Sequence, residues 1–140
     1  MDWKLELVVI PVSDVDRAKA FYTERVGFNL DWDRGAGEEF RMVQMTPKGG
    51  PACSIAIGTG ITDAAPGSAR DLHLVVTDIE AARSELAGRG VDVSDARHLG
   101  PAGWAPGPDP ERGNYNSIAD FSDPDGNTWT LQERGYEARA

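Results

Sequence analysis

The feature that most constrains this chain is an internal repeat. Residues 12–20 read VSDVDRAKA, and residues 76–83 read VTDIEAAR, so the two copies start 64 residues apart. Each copy follows an apolar run and carries the pattern of a helix start. A chain that repeats one structural unit at a fixed distance is expected to fold as two similar modules.

Both copies contain the signals that begin and end a helix. Ser13 is followed three residues later by Asp16, and Thr77 by Glu80, which predicts a capping arrangement at each helix start. Apolar residues recur at helical spacing after each start. Glycine tolerates the left-handed conformation that closes many helices, so we expect the two helices to end near Gly27 and Gly90.

Strand patterns surround both predicted helices. One apolar run precedes each helix, and three further runs follow it, which gives the order βαβββ twice. The predicted strands are 5–12, 28–34, 40–46 and 52–58 in the first module, and 71–76, 91–97, 116–122 and 127–133 in the second. We therefore predict a single domain over 1–140, with module 1 at about 5–58, a linker at 59–70 and module 2 at about 71–133.

Two motifs within this arrangement resemble a known superfamily. They are PVSDVDRAKAFYTERVGF at the first helix and FSDPDGN in a late turn. Together with the tandem modules, they resemble the glyoxalase/bleomycin-resistance/dioxygenase (vicinal oxygen chelate) superfamily over about residues 5–133. The resemblance implies an α+β fold of tandem βαβββ modules whose sheets form an open cup, with the ligand inside. It leaves the activity open, because that superfamily includes isomerases, ring-cleaving dioxygenases, thiol transferases and drug-binding proteins.

The resemblance also implies where metal ligands would lie. Metal-dependent relatives place them at the positions that match residues 7, 71 and 130, where this chain has Leu7, Asp71 and Thr130. One carboxylate is too few for a catalytic metal, which needs about three protein ligands. We therefore predict no metal ligands and no cofactor. A divalent metal remains the alternative, because His73 lies on the same strand face as Asp71.

A second set of residues is predicted to bind a ligand or to carry chemistry. Asp71 and His73 form the one acid–base pair worth testing for catalysis. Residues 98–115 contain many prolines and glycines, so we expect a long irregular loop, with two alternatives: a lid or dimer contact, or a plain disordered excursion. The predicted ligand-binding residues are aromatic or polar side chains of the expected cup and this loop: Trp32, Asp71, His73, Trp104, Tyr115, Thr130 and Gln132.

The amino-acid composition limits which molecules this protein is expected to bind and where it is expected to be located. The formal net charge of −9 opposes binding to nucleic acid and to anionic membranes. No apolar run approaches the roughly 20 residues that cross a bilayer, and Cys53 is the only cysteine, so we expect a cytoplasmic protein without disulfides. A homodimer is an expectation that comes from the resemblance.

These observations favour one function over two others. The preferred hypothesis is a protein that binds a small organic molecule in a metal-free cup. The alternative is a glyoxalase-like lyase or isomerase, or a dioxygenase, with an atypical site near Asp71 and His73. A structural dimer module is the third hypothesis.

Overall fold

The structure, a computed structural model, describes residues 1–138 as two compact units. The first unit contains Met1–Ala69 and the short segment Asp123–Asn127. The second unit contains Arg70–Ser122 and the chain from Thr128 onward. In the described residues, no helix is both long enough and apolar enough to span a membrane.

The first unit has the predicted βαβββ order. Its elements are β1 (Leu7–Val9), α1 (Val15–Ala20), a π-helical continuation of α1 (Phe21–Val26), β2 (Asn29–Ala36), β3 (Phe40–Thr46) and β4 (Ser54–Thr59). The sheet order is β1-β4-β3-β2, in which β1 pairs with β4 in parallel and the other pairs are antiparallel. The helix ends at Gly27, where a positive φ of 91° closes the last turn as predicted.

The second unit repeats the order and adds one strand. Its elements are β5 (Leu72–Val76), α2 (Ile79–Gly88), β6 (Arg97–Gly100), β7 (Gly103–Pro106), β8 (Ser117–Ser122) and β9 (Thr128–Glu133). The sheet order is β5-β9-β8-β6-β7, with β5 parallel to β9. The added strand, β7, lies at the sheet edge.

The predicted strand at 91–97 and the predicted irregular loop at 98–115 are both wrong in part. Only Arg97 of the first segment is in a strand, and the start of the second segment forms the hairpin of β6 and β7. Glycine and proline do not prevent this hairpin, because Gly103 takes a positive φ of 111° at the turn. Pro106 ends an edge strand, where a missing N–H donor costs little.

The two helix caps lie one residue after the predicted ones. The Asp14 carboxylate accepts a hydrogen bond from the Arg17 N–H at 3.0 Å, and the Asp78 carboxylate accepts one from the Ala81 N–H at 3.1 Å. The prediction of Ser13 as a cap is therefore wrong. Its hydroxyl donates instead to the Asp125 carboxylate. Both Asp and Ser can cap a helix, so tertiary contacts of Ser13 decide between them.

Each helix packs on one face of the sheet in its own unit. In the first unit the buried side chains are Ala18, Phe21 and Tyr22 from the helix and Val43, Met45, Ile55 and Ile57 from the sheet. In the second unit they are Ile79 and Leu86 from α2 and Ala119, Phe121, Trp129 and Leu131 from the sheet. Burial of these alternating apolar residues is the main stabilising term in both units.

The turn Asp123–Asn127 is built into the first unit by buried hydrogen bonds. Asn127 is fully buried, and its amide donates to Pro11 O at 2.9 Å and to Asp123 Oδ2 at 2.7 Å. The side-chain oxygen of Asn127, Oδ1, accepts a hydrogen bond from the Ala69 N–H at 2.9 Å. The Tyr22 hydroxyl donates to Asp123 Oδ2 at 2.7 Å. The sequence predicted this turn from its proline and glycine, but it did not predict these partners.

An ion pair network links α1 to β2 and β3. Arg41 donates to both oxygens of Asp33, at 3.1 and 2.8 Å, and Lys19 donates to Asp33 at 2.9 Å. The hydrogen bond from Arg41 is the main reason why the pKa of the Asp33 carboxyl lies far below its usual range. Lys19 lowers this pKa further.

We predict that Tyr22→Phe destabilises the protein by about 1–2 kcal/mol, because it leaves a buried carboxylate oxygen with one donor fewer. Urea-induced unfolding measures this change. Tyr115→Phe is the matched control, since Tyr115 is exposed and the same substitution there should cost less than about 0.5 kcal/mol. Equal costs for the two variants would contradict a stabilising role for the Tyr22 hydroxyl.

We predict that Asp33→Asn lowers stability at neutral pH and that its deficit relative to the wild type shrinks below about pH 4. A lowered pKa in the folded state stabilises the fold above the unfolded pKa, and this contribution disappears as the pH falls through the folded value. Urea unfolding at several pH values measures the deficit, with Asp63→Asn on the exposed surface as the control. A deficit independent of pH would show that Asp33 does not contribute through its charge.

Candidate functional site

The candidate site lies on the sheet face of the second unit that α2 does not cover. Trp129, Leu131 and Glu133 of β9 are buried, and Glu133 accepts a hydrogen bond from the Ile79 N–H at the start of α2. Side chains alternate along a strand, so Thr128, Thr130 and Gln132 lie on the opposite face, as predicted. This uncovered face carries these three polar side chains of β9.

Strand register places chemistry-bearing residues beside one another on this face. His73 of β5 pairs with Thr130 of β9, and Thr130 pairs with Asp120 of β8. In the adjacent row, Gln132 pairs with Ile118, and Ile118 pairs with Arg97 of β6. Four strands therefore contribute to one continuous surface.

A cavity of about 790 Å³ opens on this surface. All of its lining residues belong to the second unit: Asp71, His73, Asp92, Ser94, Arg97, Ile118, Asp120, Phe121, Ser122, Thr128 and Thr130. Three of them are aspartates and one is an arginine, so the lining carries more negative than positive charge. Ile118 supplies apolar surface on this face, whereas the side chain of Phe121 is buried on the other face, stacked on Trp129.

The polar groups of the cavity hold one another in place. Asp120 accepts a hydrogen bond from the Thr130 hydroxyl at 2.9 Å and pairs with Arg97 at 2.7 Å. The Asp71 N–H donates to the Thr128 hydroxyl at 2.7 Å. Asp71 has a positive φ of 57°, a conformation that aspartate adopts more readily than most residues. The carboxylates are thus positioned by backbone and neighbouring strands.

The sequence paired His73 with Asp71, but in the structure the hydrogen-bond partner of the His73 ring is Gln132. His73 Nδ1 lies 3.1 Å from Gln132 Oε1, and Gln132 Nε2 donates to Tyr115 O at 3.1 Å. Gln132 is not among the residues that line the cavity. This amide partner of His73 is 59 residues away in the sequence, and no spacing motif reveals it.

The predicted site residues lie in four different places. Asp71, His73 and Thr130 line the cavity, while Gln132 and Tyr115 form the hydrogen-bonded chain beside His73. Trp104 of β7 is 61% exposed, and the guanidinium of the cavity residue Arg97 lies 5.6 Å from its ring centroid. Trp32 is in the first unit, on β2, next to Arg34.

Sequence reasoning missed several residues of the cavity. Asp92, Ser94 and Arg97 come from a segment that was predicted as a strand, so their common direction was not foreseen. Asp120 was also missed, although the alternation in β8 would have placed it on the same face as Ile118. That alternation was the signal that could have found it.

The residues at the three positions implied for metal ligands do not fit a catalytic metal ion. Leu7 has no donor atom, and the Thr130 hydroxyl donates to Asp120. Asp71 is the one carboxylate of the set. Within residues 1–138, no group of three histidine, cysteine, aspartate or glutamate side chains lies close enough together to hold a metal ion.

The fold agrees with a family comparison. The family model described as the Glyoxalase/Bleomycin resistance protein/Dioxygenase superfamily matches residues 4–131. The chain belongs to this superfamily. The resemblance inferred from the helix and turn motifs is therefore confirmed.

Solved structures from this superfamily are similar over nearly the whole chain. TnmS3, an antibiotic binding protein from Streptomyces sp. CB03234, is 35% identical, with 94% of this chain and 96% of TnmS3 covered at a TM-score of 0.72. A glyoxalase/bleomycin resistance protein from the same organism is also 35% identical, with 93% and 100% covered at a TM-score of 0.70. A superfamily member from Sphaerobacter thermophilus DSM 20745 is 27% identical, with 95% and 98% covered at a TM-score of 0.72.

Proposed function

We propose that this superfamily member binds a small organic molecule, of the size and kind of an antibiotic, in the cavity of the second unit and without a metal ion. The main support for this proposal is the size of the cavity and the residues that line it. Its volume of about 790 Å³ falls in the range of pockets that hold drug-sized ligands. Such pockets combine apolar surface with a few placed polar groups, as Ile118 does here with the surrounding carboxylates.

The charge of the cavity favours a ligand with a cationic group. Asp120 is paired with Arg97, which leaves the charges of Asp71 and Asp92 to act on a bound molecule. A cleft lined by one sign of charge raises the local concentration of ligands of opposite sign. The proposed ligand therefore has an apolar body that lies near Ile118 and a protonated amine near these carboxylates.

The similarity to TnmS3 supports the same ligand class. TnmS3 is an antibiotic binding protein, and its similarity to this chain extends over 94% of the sequence. A binding role needs a complementary cavity but no nucleophile or metal. The lyase, isomerase or dioxygenase function around Asp71 and His73 is the alternative, because both residues line the same cavity.

The metal-free part of the proposal predicts that untagged, purified protein contains far less than one equivalent of any transition metal by elemental analysis. The reason is the donor set, in which Asp71 is the one anionic ligand at the three implied positions. Protein incubated with zinc and then desalted should also remain metal-poor. Stoichiometric metal that is lost in Asp71→Ala would contradict this part and favour the enzyme alternative.

The binding proposal predicts that a panel of amine-bearing antibiotics, with bleomycin as the first probe, contains compounds that raise the melting temperature. A ligand at 100 times its Kd stabilises the folded state by about 2.7 kcal/mol. For each binder, calorimetry should show Kd raised about five-fold in Asp92→Asn, since removal of one nearby charge costs about 1 kcal/mol. Asp63→Asn, which removes an exposed carboxylate of the first unit, is the matched control and should leave Kd unchanged.

Three outcomes would overturn the binding proposal. The first is a panel without any binder. The second is an equal effect of Asp92→Asn and Asp63→Asn, which would place the ligand elsewhere. The third is chemical conversion of every binder on incubation, detected by mass spectrometry, which would make the protein an enzyme.

A further inference from the structure

The side-chain amide of Gln132 can point in only one direction. One end of this amide lies 3.1 Å from the backbone carbonyl oxygen of Tyr115. A carbonyl oxygen accepts hydrogen bonds and cannot donate them, so the NH₂ end of Gln132 must face it. The carbonyl oxygen of the amide, Oε1, therefore faces His73.

The Tyr115 carbonyl that fixes this direction is itself held in place. The Tyr115 N–H donates to Glu133 O at 2.7 Å, and Tyr115 has a positive φ of 66°. Glu133 is buried and accepts hydrogen bonds from Arg112 at 2.9 and 2.6 Å. The chain of contacts that ends at His73 thus starts from a fixed, buried group.

The orientation of Gln132 determines which nitrogen of His73 carries the proton. His73 Nδ1 lies 3.1 Å from Gln132 Oε1, an atom that accepts and cannot donate. Nδ1 must therefore be the protonated nitrogen of the neutral imidazole. In a neutral imidazole the other nitrogen, Nε2, is then an acceptor with a free lone pair.

We infer that Gln132 is a positioning residue that fixes His73 as the Nδ1–H tautomer, so that His73 offers an acceptor nitrogen to a hydroxyl or ammonium donor of the ligand. His73 lines the cavity and Gln132 lies outside it, which leaves Nε2 as the nitrogen for the ligand. The second half of this inference rests on the proposed function. The first half concerns the protein alone.

The rest of the cavity agrees with a ligand that donates hydrogen bonds. Asp71, Asp92 and Asp120 provide acceptor oxygens, and the hydroxyl of Thr130 already donates to Asp120. Arg97, the cationic donor of the lining, is paired with Asp120. A ligand with a phenol or amine near His73 would satisfy these acceptors, whereas an ether or ester oxygen there would face a lone pair.

Nuclear magnetic resonance of ¹⁵N-labelled protein tests the tautomer directly. Two-bond correlations from the carbon-bound ring protons report both ring nitrogens, in buffer at about pH 9, where histidine side chains are ordinarily neutral. We expect a protonated Nδ1 and an unprotonated Nε2 for His73. The chain has two histidines, so His98→Asn assigns the signals. A protonated Nε2 in wild-type His73 would overturn the inference.

His98 is the internal control for this experiment. Its Nδ1 lies 2.8 Å from Gly107 O, which also can only accept, so His98 should show the same tautomer in every variant. In Gln132→Met, the signals of His73 should change to those of a mixture of tautomers. Gln132→Glu keeps an acceptor beside Nδ1 and should retain the wild-type tautomer. An unchanged His73 in Gln132→Met would show that Gln132 does not set it.

A matched pair of probes tests the ligand half. 2-Naphthol and 2-methoxynaphthalene have the same ring system, but only the first donates a hydrogen bond. At neutral pH we expect 2-naphthol to shift the His73 Nε2 resonance and to bind about five-fold more tightly, the value of one hydrogen bond. His73→Phe should abolish this preference. Equal binding of the two probes would overturn the ligand class.

The two proposals fail in different ways. The tautomer of His73 is measured without any ligand, so an antibiotic panel without binders would leave that result unaffected. A confirmed antibiotic binder together with an Nε2–H tautomer would retain the proposed function and remove the role of Gln132.

Discussion

The turn Asp123–Asn127, with its buried hydrogen bonds, is the constraint on which the pairing of β8 with β9 depends. Asn127 and Asp123 together bind Pro11 O, the Ala69 N–H and the Tyr22 hydroxyl, so each polar atom that they bury has a partner. The same turn connects β8 to β9 and sets their register. A shift by one residue would move Asp120 and Thr130 to the other face of the sheet. The neighbouring positions of Asp120 and Thr130 therefore depend on the register of the two strands that this turn joins.

A single helix covers the sheet of the second unit, and this leaves the other face of the sheet open. In the second unit, α2 covers Trp129 and Leu131, and the alternate residues of β9 remain on the uncovered face. Polar residues on that face would be unfavourable in a core, but they cost little beside a solvent-filled cavity. This explains why a small protein can place aspartates, a histidine and an arginine on adjacent strands.

Local patterns predicted most of the fold, and the errors have definite causes. Strands with strict alternation, such as β3 and β9, were found within one or two residues of their observed bounds. The cap at Ser13 was displaced by one residue, because its hydroxyl binds Asp125, which is distant in sequence. The strand at 91–97 was wrong because apolar alternation alone does not show whether a partner strand lies alongside. The hairpin of β6 and β7 was missed because an edge strand accepts the proline and glycine that would disrupt a central one.

The sequence by itself determined the duplicated order of elements, the superfamily and the absence of metal-binding side chains at positions 7 and 130, because these depend on residue type and on spacing along the chain. Alternation along a strand also predicted that Asp71 and His73 share one face, because alternation is a local property, whereas the pairing of β5 with β9 brings Thr130 beside them. Only the tertiary structure decided what surrounds them. The pairing of Arg97 with Asp120, and of His73 with Gln132 and Tyr115, joins strands that are separated in sequence. Strand order and register create such contacts, and neither is a property of any single segment.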